Sequence, residues 1–427
     1  MLFVYSIMVE FLPFRGLTPR PDVLEKVVSR PFDSYAKDES NAILSSVPES
    51  FLHVIVPVQN ASNDASLPYK EVLKRGKEKW EIMQQNQWML QEEKPCFYLY
   101  QQVKEGHVYT GIIGLAHIDD YMNGNIKKHE QTLEHKEELL KNYLDTIDLH
   151  AEPVYLVFED NELWADLKAH FMQTTPQASF TGPDGYTHTY WKVQDETHIQ
   201  QVLTLFSQQK SLYIADGHHR CAASYLYGID KRNKTDNPEK NAASDYFLAA
   251  ALPESEAKLY EFSRLVKDLN SLSEEQFISA LTPFFHIQKS QVPVVPVCPH
   301  EFGICLRSGW YVLNLKQEYL NGNSLKDQLD PELINTYVFG PVLNIYDLRK
   351  DKRVKFIGGK TDVQRLENAV LSGKYAAAFT FYPVKMSLFK QMADAGEMMP
   401  PKSTFFEPKF LSGLFIYSLT DKAYVSS

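Results

Sequence analysis

Ser211-Leu212-Tyr213-Ile214-Ala215-Asp216-Gly217-His218-His219-Arg220 decides how this chain reads. Residues 211–215 suit a strand, Asp216-Gly217 is a turn dipeptide, and 221–227 read as a helix stopped by Gly228. The ionisable residues therefore fall on a strand–turn–helix junction. Backbone N–H groups at a helix start point toward a bound anion, and the helix dipole reinforces them. Gly217 allows positive φ or a close backbone approach. Arg220 can grip a phosphate or carboxylate with two parallel hydrogen bonds. His218 or His219 can pass a proton near neutral pH. Asp216 can hold an imidazole, bind Mg2+ or accept a hydroxyl proton. The plain alternative is a surface turn with exposed histidines, but so many functional types in five positions favour an anion site.

Outward from this stretch, strand-like and helix-like patterns alternate. Ile199, Val202, Leu203 and Phe206 form the stripe of an amphipathic helix with Asp195 as its N-cap. Residues 51–56 and 154–158 read as buried strands, and 96–100 and 110–115 as a hairpin turning at 104–107. Charged helices are predicted over about 71–89 and 131–149, and loops over 58–68 and 230–241. Prolines exclude 292–297 from any central strand, while 355–359 and 376–381 read as strands of a further domain. The class expected is α/β or α+β, with mixed sheets and flanking helices. The division expected is an N-terminal α/β domain over 1–290 and a smaller C-terminal α+β region over 291–427.

Composition narrows the function. The 427 residues include 44 basic and 54 acidic ones, a net charge of −10. That argues against a nucleic-acid coat, which needs a basic face to displace counterions. No window approaches the roughly 18 apolar residues of a membrane span. The apolar first ten residues lack the basic start of a signal peptide and read as a leading strand or an extension. Cys96, Cys221, Cys298 and Cys305 form no CxxC pair and read as free thiols of a reducing cytoplasm.

Other constellations carry weaker signals. Lys127-Lys128-His129-Glu130-Gln131-Thr132 superficially resembles a zinc-protease helix, but Leu133 stands where HExxH needs histidine. His129, Glu130 and Thr132 are left as acid/base and pocket candidates beside a solvated helix start. Pro401-Lys402-Ser403-Thr404 ends like a P-loop without its glycines, so no Walker site is expected. Lys402, Ser403, Thr404 and Lys409 can still fix a phosphate. Arg15 and Asp33 are single charges on proline-containing loops. Arg264, on a strand-like run, is either a pocket residue or a surface charge.

Taken together these segments resemble the bacterial family known as domain of unknown function 1015, over about residues 12–419. The carrying motifs are Pro13-Phe14-Arg15, Pro31-Phe32-Asp33, Ser50-Phe51-Leu52-His53-Val54, Asp120-Tyr121, His129-Glu130-Gln131-Thr132, Ala215-Asp216-Gly217-His218-His219-Arg220, Arg264-Leu265-Val266 and the 399–409 block. Two positions depart from the family pattern: Arg30 stands where a proline is usual, and Cys221 where an aromatic is usual. The Gly-x-His-Arg element also resembles the phosphate-holding turn of the ParB/sulfiredoxin-like superfamily, which includes free serine kinases. That resemblance implies that Gly217, His218, His219 and Arg220 cradle phosphate, and the family's association with serine biosynthesis suggests serine or phosphoserine.

The expected function is phosphoryl transfer on a small hydroxy amino acid. Glu130 or Asp216 would orient or deprotonate the hydroxyl, and His218 or His219 would protonate the leaving oxygen. Arg220, Lys402 and Lys409 would hold phosphate. Mg2+ (through Asp33, Asp216 or Glu130) and an adenine nucleotide are the cofactors considered, although no ligand spacing demands a metal. The partners expected are a phosphorylated metabolite or nucleotide, with a homo-oligomer left open. A non-catalytic nucleotide-binding regulator and a hydrolase of another phosphorylated metabolite are the rival readings.

Overall fold

The computed structural model describes residues 9–55, 68–234, 242–320, 322, 324–348 and 350–420. The chain forms two compact units. The first takes in the described residues up to Lys128, Thr132–Ala257, and those from Pro408 onward; the second takes in His129–Gln131 and Lys258–Glu407.

The first unit is built on a nine-stranded mixed sheet. Its strands are β1 (Phe11–Leu12), β2 (Phe97–Lys104), β3 (His107–His117), β4 (Ile126–Lys127), β5 (Val154–Phe158), β6 (Ala178–Thr181), β7 (Thr187–Val193), β8 (Leu212–Asp216) and β9 (Tyr246–Pro253). They run in the order β4-β8-β5-β9-β3-β2-β7-β6, with β1 beside β3. The β4–β8 and β9–β5 pairs are parallel and the others antiparallel. The β2–β3 hairpin turns at Glu105-Gly106, both at positive φ (49° and 79°), as a two-residue turn matched to strand twist requires.

Helices flank this sheet: α1 (Tyr69–Gln85), α2 (Glu134–Ile147), α3 (Glu162–Met172), α4 (Glu196–Ser207) and α5 (His218–Asn233). One apolar core gathers Phe97, Ile112, Leu156, Phe158 and Ile214 with Trp164, Leu167, Ile199, Val202 and Phe206 of α3 and α4. A second joins Leu73, Trp80 and Met83 of α1 to Tyr143, Leu144 and Ile147 of α2. Asp195 caps α4, its side chain accepting the His198 N–H at 3.0 Å.

The second unit holds a six-stranded, wholly antiparallel sheet. Its strands are β10 (Phe262–Val266), β11 (Phe285–Ser290), β12 (Glu301–Leu306), β13 (Gly309–Leu315), β14 (Val354–Gly358) and β15 (Ala377–Thr380), in the order β11-β13-β12-β15-β10-β14. Phe277, Phe302, Ile304, Leu313, Phe339 and Phe379 lie in its core.

The α/β class with mixed sheets and flanking helices is therefore the one adopted, but several expectations change. Residues 52–55 of the supposed strand 51–56 form a helical turn that buries Leu52 and Val54, and Val56 lies outside the described residues. Gly228 does not stop α5, which runs on to Asn233. A Cβ there would meet Ile118 Cδ1 at 2.4 Å and the Ser244 carbonyl at 2.5 Å, so this glycine serves close packing. The helix expected over 71–89 ends at Gln85, and a short strand, Met89–Gln91, follows it. The chain divides after Ala257 and again after Glu407 rather than at 290/291, because β10 pairs with β14 and β15 far downstream. The expectations for 1–8, 58–67 and 235–241 lie outside the described residues. None of the described helices is long and apolar enough to cross a membrane.

Candidate anion site

The strand–turn–helix junction forms as its residues suggest. The β8–β5 register slips between Ile214 and Asp216, a bulge of the kind that re-aims a side chain at the end of a strand. Gly217 follows in the left-handed region (φ 95°, ψ 27°) and is the N-cap of α5. A Cβ at this position would lie 2.9 Å from the Arg220 guanidinium. No side chain caps the start of α5, a sixteen-residue helix, so its dipole and first amides face the turn.

Two cations converge on Asp216. Arg220 Nη2 donates to Oδ2 at 3.0 Å, and Lys409 Nζ donates to Oδ1 at 2.7 Å. Burial alone would raise the Asp216 pKa, but Lys409 and Arg220 outweigh it and hold the carboxyl well below the usual range, with a smaller contribution from His218. Lys409 arrives on the returning chain, which Phe410 anchors edge-on against Tyr155 with ring centroids 5.2 Å apart.

Glu152 completes the cluster, and sequence reading missed it. Its Oε1 accepts from Arg220 Nη1, and its Oε2 accepts from the Ser412 hydroxyl at 3.2 Å. Ser412 is held by reciprocal backbone bonds to Ser29, and Gly413 N–H donates to the Ala151 carbonyl at 2.9 Å. Burial pushes the Glu152 carboxyl up; Arg220 and the Ser412 hydroxyl oppose that rise, and Asp216 and Asp33 add to it. The only available signal was an acidic residue just ahead of Pro153 and the wholly buried strand β5.

The other candidates divide between the units. In the first unit, His218 is buried beside Asp216. His219 Nε2 accepts the Leu133 N–H at 3.1 Å, which ties α5 to the start of α2 and leaves the half-buried Thr132 one residue upstream. Asp33 is exposed on a single 3-10 turn, within electrostatic range of Glu152. Arg15 is exposed, and its Nε donates to the Glu92 carbonyl at 3.1 Å. In the second unit, His129 Nε2 lies 3.0 Å from Thr404 Oγ1, and Ser403 Oγ donates to the Pro400 carbonyl at 2.8 Å. Lys402 is exposed, with its Nζ 5.2 Å from the Phe262 ring centroid, and Glu130 follows His129 in the same unit. Arg264, also in this unit, is fully buried, which removes the surface-charge alternative. The Lys402 and Lys409 candidates thus belong to different units.

Within the first unit, no three His, Cys, Asp or Glu side chains among the described residues bring ligand atoms within 4.8 Å of one another. All four cysteines are free thiols, and all but Cys298 are buried.

Fold and site together define a mixed α/β protein with a guanidinium, an ammonium and two carboxylates gathered at an uncapped helix start. The chain belongs to the family described as "Protein of unknown function (DUF1015)", whose profile matches residues 11–332. No curated relative matches it. Among solved structures it is similar to SbnI with a C-terminal truncation from Staphylococcus aureus, at 12% identity and TM-score 0.39, over 70% of this chain and 85% of that one. It is also similar to a free serine kinase in complex with AMP, at 12% identity and TM-score 0.31, over 69% and 87%. A conserved hypothetical protein from Pyrococcus furiosus matches at 11% identity and TM-score 0.32, over 73% and 97%.

Proposed function

We propose that the chain transfers a phosphoryl group to or from a small hydroxy amino acid, with serine and phosphoserine as the substrate pair suggested by the family resemblance. The observation that carries this reading is the meeting of Arg220 and Lys409 on Asp216 beside the uncapped start of α5. Phosphoryl transfer asks a protein chiefly for positioning and for charge placed where negative charge develops. Amides at the helix start, a planar guanidinium and a lysine point charge meet that need.

Asp216 stays ionised and is a poor proton acceptor, so its role is to hold the two cations in place. His218 or His219 is the proton donor for the leaving oxygen; His219 accepts the Leu133 N–H at Nε2, which leaves its proton on Nδ1. An adenine nucleotide belongs to the same proposal, with Mg2+ carried mainly on its phosphates. Asp216 fits Mg2+ poorly as a ligand, since both of its oxygens already accept from cations. The reading rests on first-unit residues alone and asks nothing of Glu130, Lys402, Ser403 or Thr404.

The test is phosphorus NMR of the purified protein with L-serine and ATP or ADP, and with phosphoserine and AMP or ADP, each with and without Mg2+. Nucleotide-dependent interconversion of serine and phosphoserine is the expected result. Phosphate release from phosphoserine without nucleotide would replace the transferase reading with a hydrolase. Nucleotide binding with no turnover would replace it with a regulator.

A further inference from the structure

Asp216 and Glu152 share Arg220 but sit in opposite surroundings. Asp216 has two cations, one on each oxygen. Among the described residues, Glu152 has one cation on Oε1 and only a serine hydroxyl, at 3.2 Å, on Oε2. A carboxylate oxygen can accept about two hydrogen bonds, so Oε2 keeps acceptor capacity. The Glu152 side chain is 26% exposed.

From this contrast, and resting on the phosphoryl-transfer reading, we infer that Glu152 takes the proton from the acceptor hydroxyl and returns it in the reverse direction. In the forward step the hydroxyl oxygen forms the new P–O bond. The P–O bond to the leaving phosphate of a phosphoric anhydride donor breaks, and its electron pair goes to the leaving oxygen. The hydroxyl proton passes to Glu152 Oε2. Two carboxylates whose environments drive their proton affinities apart can divide the work, one as fixed charge and one as proton carrier.

The groups around Glu152 support this division. Arg220 of α5 and the Ser412 hydroxyl favour its ionised form, while Asp216 of β8 and Asp33 oppose it. Tyr143 of α2 lies within electrostatic range and stays a neutral phenol, its pKa raised by burial first and Glu152 second. His150, two residues upstream, is held neutral, with burial and then Arg220 driving its pKa down to about 3. An anion arriving beside Arg220 adds negative charge and pushes proton affinity at Glu152 further up.

Glu152→Gln keeps the side-chain shape and removes the proton carrier. The first measurement is calorimetric titration with sulfate, which does not itself titrate near neutrality, in buffers of different ionisation enthalpy. The wild-type protein is expected to take up only a fraction of a proton on binding, so that most Glu152 stays ionised, and E152Q, which lacks the opposing charge, to bind sulfate more tightly with no uptake. The second is serine phosphorylation, where E152Q is expected to lower kcat at least about 100-fold. Its KM for the donor should change little, and the acidic limb of the kcat profile should vanish. Unchanged proton uptake in E152Q, or kcat within threefold of wild type in an active enzyme, would overturn the role of Glu152 and leave the transferase reading standing. Wild-type protein with neither sulfate binding nor turnover would remove the transferase reading and this role with it.

Discussion

Arg220 and Arg264 were both nominated by the sequence, and the structure gives them opposite lives. Arg220 stands at a helix start, partly exposed, shared between Asp216 and Glu152. Arg264 is fully buried on β10, and its guanidinium carbon lies 4.9, 5.1 and 5.6 Å from the ring centroids of Phe381, Phe339 and Phe356. Its Nη1 donates to Asn335 Oδ1 at 2.7 Å, and its Nε and Nη2 have no partner among the described residues. Burial lowers its pKa to about 9, with Glu332 in partial opposition. An arginine held by two carboxylates in reach of solvent can exchange one of them for an anionic ligand. An arginine stacked among phenyl faces acts through its bulk and its cation–π contacts.

The largest expected effect tests Arg264. Arg264→Ala should lower the unfolding free energy by about 4 kcal/mol in urea, as loss of a large core side chain does. Arg264→Met, which keeps most of the bulk, should lower it by less than about 1.5 kcal/mol. If Met proves as damaging as Ala, the charge matters more than the packing and the contrast with Arg220 weakens. Arg220→Ala should behave the other way. It should weaken sulfate or phosphoserine affinity about 100-fold, or roughly 2.7 kcal/mol, so its loss reads out in binding.

His150 extends the comparison to pH. It is buried near Arg220, and its pKa is lowered to about 3. The unfolded chain binds this proton below about pH 6.5 and the folded chain does not until about pH 3. Stability should therefore fall as pH drops from 6.5 toward 3, with His150 contributing up to about 1.4 kcal/mol per unit. Asp216, held below the usual carboxylate range, contributes stability above about pH 3.9 that is lost as pH falls through its folded value. In urea unfolding series across pH, His150→Phe should flatten the limb between 6.5 and about 4 and leave the Asp216 limb below it. The smallest effect belongs to Gly217→Ala, which should cost about 1 kcal/mol for a side chain at φ 95°. It should also loosen anion binding, because the added methyl displaces the Arg220 guanidinium.

Local features were legible in the sequence. The 211–220 junction, the hairpin read from strands 96–100 and 110–115, and the Asp195 cap all rest on neighbouring residues, and each formed, the hairpin strands running longer, over 97–104 and 107–117. Residues 51–56 misled because a six-residue apolar run is too short to show a period. The Ser50 hydroxyl accepts the Leu52 N–H at 3.3 Å and helps start a helical turn there. Gly228 misled because its neighbours Ile118 and Ser244 are distant in sequence. Glu152 and the pairing of Lys409 with Asp216 depend on chain return, which no local pattern encodes. The second-unit sheet was obscured for the same reason, since β10 finds both its partners about ninety or more residues downstream.

That chain return has a consequence for how the protein is made. Lys409 and Asp216 are 193 residues apart. At roughly 5–20 residues per second, a ribosome makes Lys409 about 10–40 s after Asp216. During that interval the nascent chain carries Asp216, Glu152 and Arg220 but no lysine to balance the second carboxylate. Completion of the Arg220–Asp216–Lys409 cluster is therefore a late event of synthesis, and an early-terminated chain carries a net-negative turn in its place. A charge-balanced turn consequently marks chains whose distant tail has come home.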